Sequence, residues 1–346
     1  MIRTVHVVLP GGVDDPAAPS GGNRYDRQVC DGLRRTWDVH EIAVPGTWPR
    51  PSAGVRDALG AVLSGLPSGS VVLLDGLVAC GIPEVLEPVA GRLRLVVLVH
   101  LALGDETGLS ASDAAALTAL EGRTLHTASA VIATSAGAAR RLIERHELPA
   151  ARVHVAPPGV EPAPLASPSP DGGRLLCVAA VTPRKGQDLL VEALSRCDDL
   201  AWTCVCVGTL DRAPSFAAPL RGGRVQFVGT RTGADLDRSY ADADLLVLPS
   251  RAETYGMVVT EALARGVPVL STAVDGVPEA LGAAPDGTLP GALVAPDDPD
   301  ELAKALRGWL TDAGLRDRWR SAARDRRATL RGWDHTTRLV SEVLEK

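Results

Sequence analysis

The sequence predicts an α/β protein made of two doubly wound, parallel-sheet units. Three observations carry that reading. Short apolar, β-branched runs alternate with helical stretches from end to end. Strands apolar on both faces belong to parallel sheets covered by helices. The alternation breaks once, at Pro157–Gly173, "PPGVEPAPLASPSPDGG", which is dense in Pro, Ser and Gly and has no periodicity. Such a stretch reads as a linker. Finally, the chain has 346 residues, more than a single core usually organises.

Before the linker the strand-like runs are "TVHVVLP", "WDVHEIAVP", "GSVVLLDG", "RLVVLVH" and "AVIATS", with helices expected at Arg24–Thr36, Ser52–Ser64, Ser112–Ala128 and Ala136–His146. After it come "RLLCVAAV", "AWTCVCVG", "VQFVG", "DLLVLPS" and "VPVLST", with helices at Gln187–Cys197, Asp235–Ala241 and Met257–Arg265. Three polar helices close the chain, near Pro299–Thr311, Ala313–Leu330 and Asp334–Lys346. In sheets of this kind ligands bind outside the strand C-termini, so the cleft expected between two such units is where chemistry belongs.

A net charge of −6 gives no reason to expect nucleic acid or an anionic membrane as partner. Only three of the 36 basic residues are lysines, Lys185, Lys304 and Lys346. The six cysteines have no C-x-x-C spacing, and several sit in apolar runs. Core thiols in a reducing cytosol are the expectation. The start, "MIRTVHVVLPGG", is strand-like without signal-peptide architecture, and no apolar run approaches membrane-spanning length. A cytoplasmic protein is expected.

The segment Arg251–Gly266, "RAETYGMVVTEALARG", places two glutamates eight positions apart around an apolar helix. Glu253 falls in the turn after "DLLVLPS". Glu261 falls in the second helical turn, where a carboxylate is costly unless hydrogen-bonded. Ligand hydroxyls would satisfy both, and the free N–H groups of Thr254, Tyr255, Gly256, Met257 and Val258 suit a phosphate. Alternatively, Glu253 caps the helix and favours its dipole, and Glu261 pairs with Arg265 at i+4. The D-x-D of Asp242 and Asp244 sits on a helix–strand junction and reads as structural. No His/Cys/carboxylate grouping marks a metal site in the sequence.

"AETYGMVVTEALARGVPVLSTAVDGVPEAL" resembles the E-x7-E segment of retaining GT-B glycosyltransferases of the family 4 type, without a gap from Pro249 to Leu281. The match includes the pair Tyr255–Gly256, the G-x-P-V at Gly266–Val269 and the G-x-P-E loop at Gly276–Glu279. "VAAVTPRKGQDLLVEAL" resembles the family's loop that binds the donor diphosphate, with Lys185 in the lysine position. Many members carry an arginine five positions earlier. Here that position is Ala180, and Arg184 is the candidate second cation. "APSGGNRYDRQVCDGL" resembles the glycine-rich loop after the first strand, and the closing helix resembles the one that crosses back to the first domain. The likeness spans nearly the whole chain and is firmest from Cys177 to Leu281.

The resemblance implies the GT-B fold: two Rossmann-like, doubly wound domains facing across a cleft. Residues 1–165 with helix 334–346 would form the acceptor side, and residues 173–333 the nucleotide-sugar side. It implies a retaining glycosyltransferase using a UDP- or GDP-linked sugar, no other cofactor, and a hydroxyl or amine acceptor. Residues 1–165 contain no lysine and no basic amphipathic helix, which favours a soluble small-molecule acceptor. Glu253 would bind the donor sugar, Glu261 the ribose, and Lys185 the diphosphate. His100 would contact the sugar, Arg231 and Leu236 would lie near the base, and Gly21 and Gly22 would let backbone approach the reacting groups. Asn23 would cap the following helix or reach the acceptor. Asp75 ends a strand at the same expected cleft.

Two other classes fit the architecture. A nicotinamide-dependent oxidoreductase would use Glu41, at the end of the second strand, for a ribose. However, "LPGGVDDPAAPSGGNRYD" lacks G-x-G-x-x-G. A non-catalytic sugar-binding protein would be stabilised by free sugars rather than by nucleoside diphosphates.

Overall fold

The computed structural model describes residues 3–15, 20–221 and 223–346. Ala18 and Pro19, at the head of the glycine-containing motif, lie outside the described residues. The chain divides into two compact units, residues 1–159 with 331–346, and residues 160–330.

In the first unit the strands are β1 (Arg3–Pro10), β2 (Trp37–Val44), β3 (Val71–Asp75), β4 (Arg94–Val99), β5 (Ala130–Ala133) and β6 (Val153–Val155). The helices among them are α1 (Gly21–Leu33), α2 (Ala53–Gly65), the short α3 (Gly76–Ala79) and α4 (Pro83–Leu86), α5 (Ala111–Thr127) and α6 (Ala136–His146). The strands form one sheet in the order β2-β1-β3-β4-β5-β6, parallel throughout. The order reverses between β1 and β3, which makes their carboxyl ends the switch point of this sheet.

In the second unit β7 (Arg174–Val178), α7 (Gln187–Ser195), β8 (Thr203–Val207), α8 (Pro214–Ala217), β9 (Val225–Phe227) and α9 (Gly233–Ala241) are followed by β10 (Leu245–Leu248), α10 (Met257–Ala264), β11 (Val269–Thr272), α11 (Val277–Leu281) and β12 (Gly291–Val294). Then come α12 (Pro299–Thr311) and α13 (Ala313–Arg327), and the chain closes with α14 (Trp333–Glu345), which belongs to the first unit. The sheet order is β12-β11-β10-β7-β8-β9, again parallel, and the switch point lies between β7 and β10. Alternate strand residues feed two separate cores. Leu175, Cys177, Leu245 and Val247 pack against α7 and α12, and Leu176, Leu246 and Leu248 pack against α10. This is the period-2 signature of a strand buried on both faces. All six cysteines are buried and unpaired.

Three expectations change. The stretch read as a free linker has no helix or strand from 160 to 173, yet it is bound to the second unit. Ala166 and Ser167 donate backbone N–H groups to Arg265 and Ala241. Ser169 donates its N–H and hydroxyl to Asp244, each at 2.5 Å. The G-x-P-E segment is not a loop but the start of α11, with Gly276 as N-cap and Pro278 in the first turn, where proline's fixed φ is favourable. Two strands were not expected, β6 and β12, each at an edge of its sheet.

Candidate active site

Loops at the switch point of the second unit carry the predicted donor residues. The β7–α7 loop ends in a single 3-10 turn, Pro183–Lys185, closed by Gly186 at φ 69°. A Cβ at Gly186 would stand 2.1 Å from the Pro249 carbonyl oxygen. That position therefore requires glycine, for φ and for approach to the β10 loop. Lys185 Nζ forms an ion pair with Glu253 Oε2, and the two side chains are only 16% and 11% exposed. Burial is the largest influence on the Lys185 ammonium. It outweighs the nearby Glu253 carboxylate and leaves the pKa below its usual value, with the Arg184 charge adding to the lowering.

Glu253 is held by its backbone as well. Its N–H donates to Asp275 Oδ2 at 3.1 Å, and its carbonyl accepts from Gly276 N at 3.2 Å. Ser250 Oγ lies 3.5 Å from the carboxylate. Capping of α10 by Glu253 is not what the structure shows: the N-cap is Gly256, at φ 90°, without a side-chain cap bond. Val259 N–H turns back to the Gly256 carbonyl at 2.9 Å. By helix geometry the N–H groups of Met257 and Val258 have no partner within the helix, and Thr254 leads into this turn. The Tyr255 side chain belongs to the core, where burial pushes its phenol up to about 12; only its backbone can serve a ligand.

Glu261 is 8% exposed and accepts from Tyr240 Oη at 2.8 Å. The expected i+4 partner, Arg265, instead donates to the Glu261 carbonyl oxygen at 3.0 Å, pairs with Asp237, and lies over the Tyr240 ring. Arg184 donates Nη1 to the Ala252 carbonyl at 3.1 Å, so part of the proposed second cation is spent bracing the Glu253 turn. Ala180, where many members have arginine, accepts at its carbonyl from Gln187 Nε2 at 3.0 Å. Arg231 donates to Ser239 Oγ at 2.9 Å, and Leu236 packs half-buried against the α10-side core. Asp244 is structural, as expected, and accepts from Arg174 N at 2.8 Å besides Ser169.

The first unit gathers its own cluster from α1 and the ends of β3 and β4. His100 follows β4 directly, with Nε2 at 2.8 Å from Asp26 Oδ1 and 3.8 Å from Asp75 Oδ2. The ligand atoms of Asp26, Asp75 and His100 lie within 4.8 Å of one another. The expectation of no His/carboxylate grouping is thus corrected, because these residues are far apart in sequence. Asp75 also accepts from Leu77 N at 2.5 Å. Burial, then the Asp26 charge, raise the Asp75 carboxyl from 3.8 to about 8. Burial alone would lower the His100 imidazole, but the charge and hydrogen bond of Asp26, helped by Asp75, raise it from 6.5 to about 9. Asp75 and His100 therefore both hold their protons more tightly than usual.

Gly21 and Gly22 form the first turn of α1 rather than a loop. A Cβ at Gly22 would stand 3.2 Å from the His100 ring. Ser20, not Asn23, caps the helix, accepting from Asn23 N at 3.0 Å, because a cap must precede the first turn. Asn23 Nδ2 reaches the Gly12 carbonyl at 3.4 Å. Glu41 is committed to Arg27, at 2.6 Å, and to Arg34.

Sequence reasoning missed Asp26, Tyr240 and Arg251. Asp26 had a signal: with Tyr25, Val29, Cys30 and Leu33 it lies on the buried stripe of α1, where a carboxylate is out of place.

Two parallel six-stranded units of this kind make up the GT-B architecture. The family model described as glycosyl transferases group 1 matches residues 167–326, and that described as glycosyltransferase family 4 matches residues 75–163. The chain belongs to the GT-B glycosyltransferases of the family 4 type. It is 31% identical over 250 residues to a D-inositol 3-phosphate glycosyltransferase of Salinispora tropica, covering 62% of this chain and 50% of the relative. The chain thus spans about half the length of that curated relative. Sucrose-phosphate synthase from Thermosynechococcus elongatus shares the fold with a TM-score of 0.77 at 22% identity, over 99% of this chain and 98% of that one. HepE of Anabaena, solved in complex with UDP and glucose, gives 0.75 at 19% identity over 100% of both chains. Among the described residues, no helix is long and apolar enough to cross a membrane.

Proposed function

We propose that this protein transfers a glycosyl unit from a nucleotide sugar to a hydroxyl or amine of a small soluble acceptor, with retention at the anomeric carbon. The carrying observation is the buried Lys185–Glu253 pair set at the head of α10. A lysine held in a low-polarity site beside unspent helix N–H groups is built to meet a diphosphate. As the bond from the anomeric carbon to the leaving phosphate breaks, negative charge grows on that oxygen. Lys185 and the Gly256–Val258 amides stabilise it without reorganising. An anion arriving at Lys185 gives the ammonium a second partner and frees Glu253 to accept from sugar hydroxyls.

Glu261, an acceptor for Tyr240, would bind the ribose hydroxyls. His100, held as a cation by Asp26, would contact the sugar. Arg231 and Leu236 would border the base. The second unit would be the donor domain, and the first unit with α14 the acceptor domain. A UDP-linked donor is supported by the HepE complex with UDP and glucose, and a small polar acceptor by the name of the inositol-phosphate relative. The buried unpaired thiols suit the cytoplasm.

The test is a thermal-shift screen of UDP-, GDP- and ADP-sugars against wild type and Lys185→Ala. One nucleotide series should stabilise the wild type, by about 2.7 kcal/mol at a hundredfold excess over Kd, and Lys185→Ala should lose most of that gain. Stabilisation by free sugars with none from any nucleotide would overturn the reading.

A further inference from the structure

Lys185 and Glu253 sit on two different loops, and their ion pair is too small a device to fix both. Arg251, two residues before Glu253, supplies the missing constraint. Its Nε donates to Asp297 Oδ1 at 2.6 Å. Nη1 donates to the Pro183 carbonyl at 2.6 Å and to Asp188 Oδ1 at 2.9 Å, and Nη2 donates to Asp188 Oδ2 at 2.8 Å. Its backbone N–H donates to the Arg184 carbonyl at 2.8 Å. Asp297 follows β12, Pro183 and Arg184 precede α7, and Asp188 lies in the first turn of α7. One planar guanidinium therefore ties together the loops after β7, β10 and β12, on both sides of the switch point, through a bidentate contact only arginine can make.

We infer that Arg251 is a positioning residue that fixes the Lys185 loop against the Glu253 turn, so that ammonium and carboxylate are presented as one preformed donor site. The functional half of this inference rests on the donor-site reading above; the geometric half does not.

The chain offers a direct readout, because it has only three lysines, and Lys304 and Lys346 are exposed and serve as internal controls. Acetylation by acetic anhydride, followed residue by residue by mass spectrometry, reports how often the Lys185 loop opens. In Arg251→Met, Lys185 should acetylate about tenfold faster relative to Lys304 than in wild type, as loss of charge-assisted bonds makes local opening easier. Hydrogen exchange in α12 and α13 should stay unchanged, whereas a merely structural role would loosen the whole unit. Arg251→Lys should not restore protection, since an ammonium cannot bridge both aspartate oxygens and the Pro183 carbonyl.

If Arg251→Met does not fold, Arg251→Lys and Asp188→Asn carry the test, each expected to raise the Lys185 rate well beyond roughly twofold. A Lys185 acetylation rate within about twofold of wild type in the folded variants overturns the inference. UDP is the functional probe. If wild type binds UDP, Arg251→Met should weaken it about tenfold, and unchanged affinity counts against the inference. Failure of wild type to bind UDP, GDP or ADP would instead sink the donor-site reading and leave the acetylation result to decide the geometry.

Discussion

At the scale of the residue, Lys185 and Glu253 pose a stability question before a functional one. A pair of charges this far from water gains little net stability, since desolvation cancels most of the attraction. Removing one partner is different, because the other charge stays buried without compensation. Lys185→Met and Glu253→Leu should each destabilise the second unit by about 2–3 kcal/mol. The double variant should recover most of that loss, yet bind no nucleoside diphosphate. Urea denaturation of the four proteins, with UDP, GDP and ADP titrations, checks both statements. A double variant as unstable as the sum of the singles would mean the pair holds the fold rather than a ligand.

Legibility at this scale followed the same division. Lys185, Glu253 and Glu261 were readable because each breaks a local rule, a rare lysine in a loop and buried carboxylates before and within an apolar helix. Tyr240 and Arg251 were not, because a phenol meeting Glu261 across 21 positions, or a guanidinium meeting Asp297 across 46, leaves no periodic trace.

At the scale of the element, α1, β3 and β4 converge on one cluster of titratable groups. The groups facing His100 are Asp26 from α1 and Asp75 at the end of β3, with the Tyr25 ring edge-on at 5.1 Å. Both shifted groups have raised pKa values, so both favour the proton in the folded state. Their contribution is complete below the unfolded pKa and lost as pH climbs through the folded one. For Asp75 that window runs from 3.8 to about 8, and for His100 from 6.5 to about 9. The melting temperature of the first unit should therefore fall as pH rises from 6 to 9.5. In Asp75→Asn, which cannot ionise, that fall should be smaller. Differential scanning calorimetry across this range is the measurement, and a wild-type curve flat in pH would refute the linkage.

The elements themselves were legible wherever the pattern was long. Pro299–Thr311 and Ala136–His146 match the expected helices end to end. Gly21 and Gly22 were misplaced into a loop because glycine is a poor helix former. Ser20 overrides that preference as the cap.

At the scale of the whole molecule, each unit carries its own core. Val8, Leu74 and Val97 lie in one, and Leu175 and Leu246 lie in the two faces of the other. The alternating pattern revealed both sheets. It could not reveal that α14, last in sequence, packs on α1, first in sequence. A Cβ at Gly32 would collide with the Thr337 side chain at 2.2 Å. Trp37 Nε1 donates to Ser341 Oγ at 2.9 Å, and Arg94 donates to the Val343 carbonyl at 2.6 Å. Trp333 stands edge-on to Tyr25 at 5.6 Å, and Tyr25 in turn touches His100. The closing helix thus belongs energetically to the unit that begins the chain. Trp333→Ala, which truncates a side chain only 8% exposed, should cost that unit about 3–5 kcal/mol. Separate cores make a single two-state transition a poor description, so the loss should fall on one unit. In hydrogen exchange, peptides within residues 3–159 should lose protection while those within 174–327 keep theirs. Equal loss across both ranges would show that the two cores unfold as one, and that α14 is not a private element of the first.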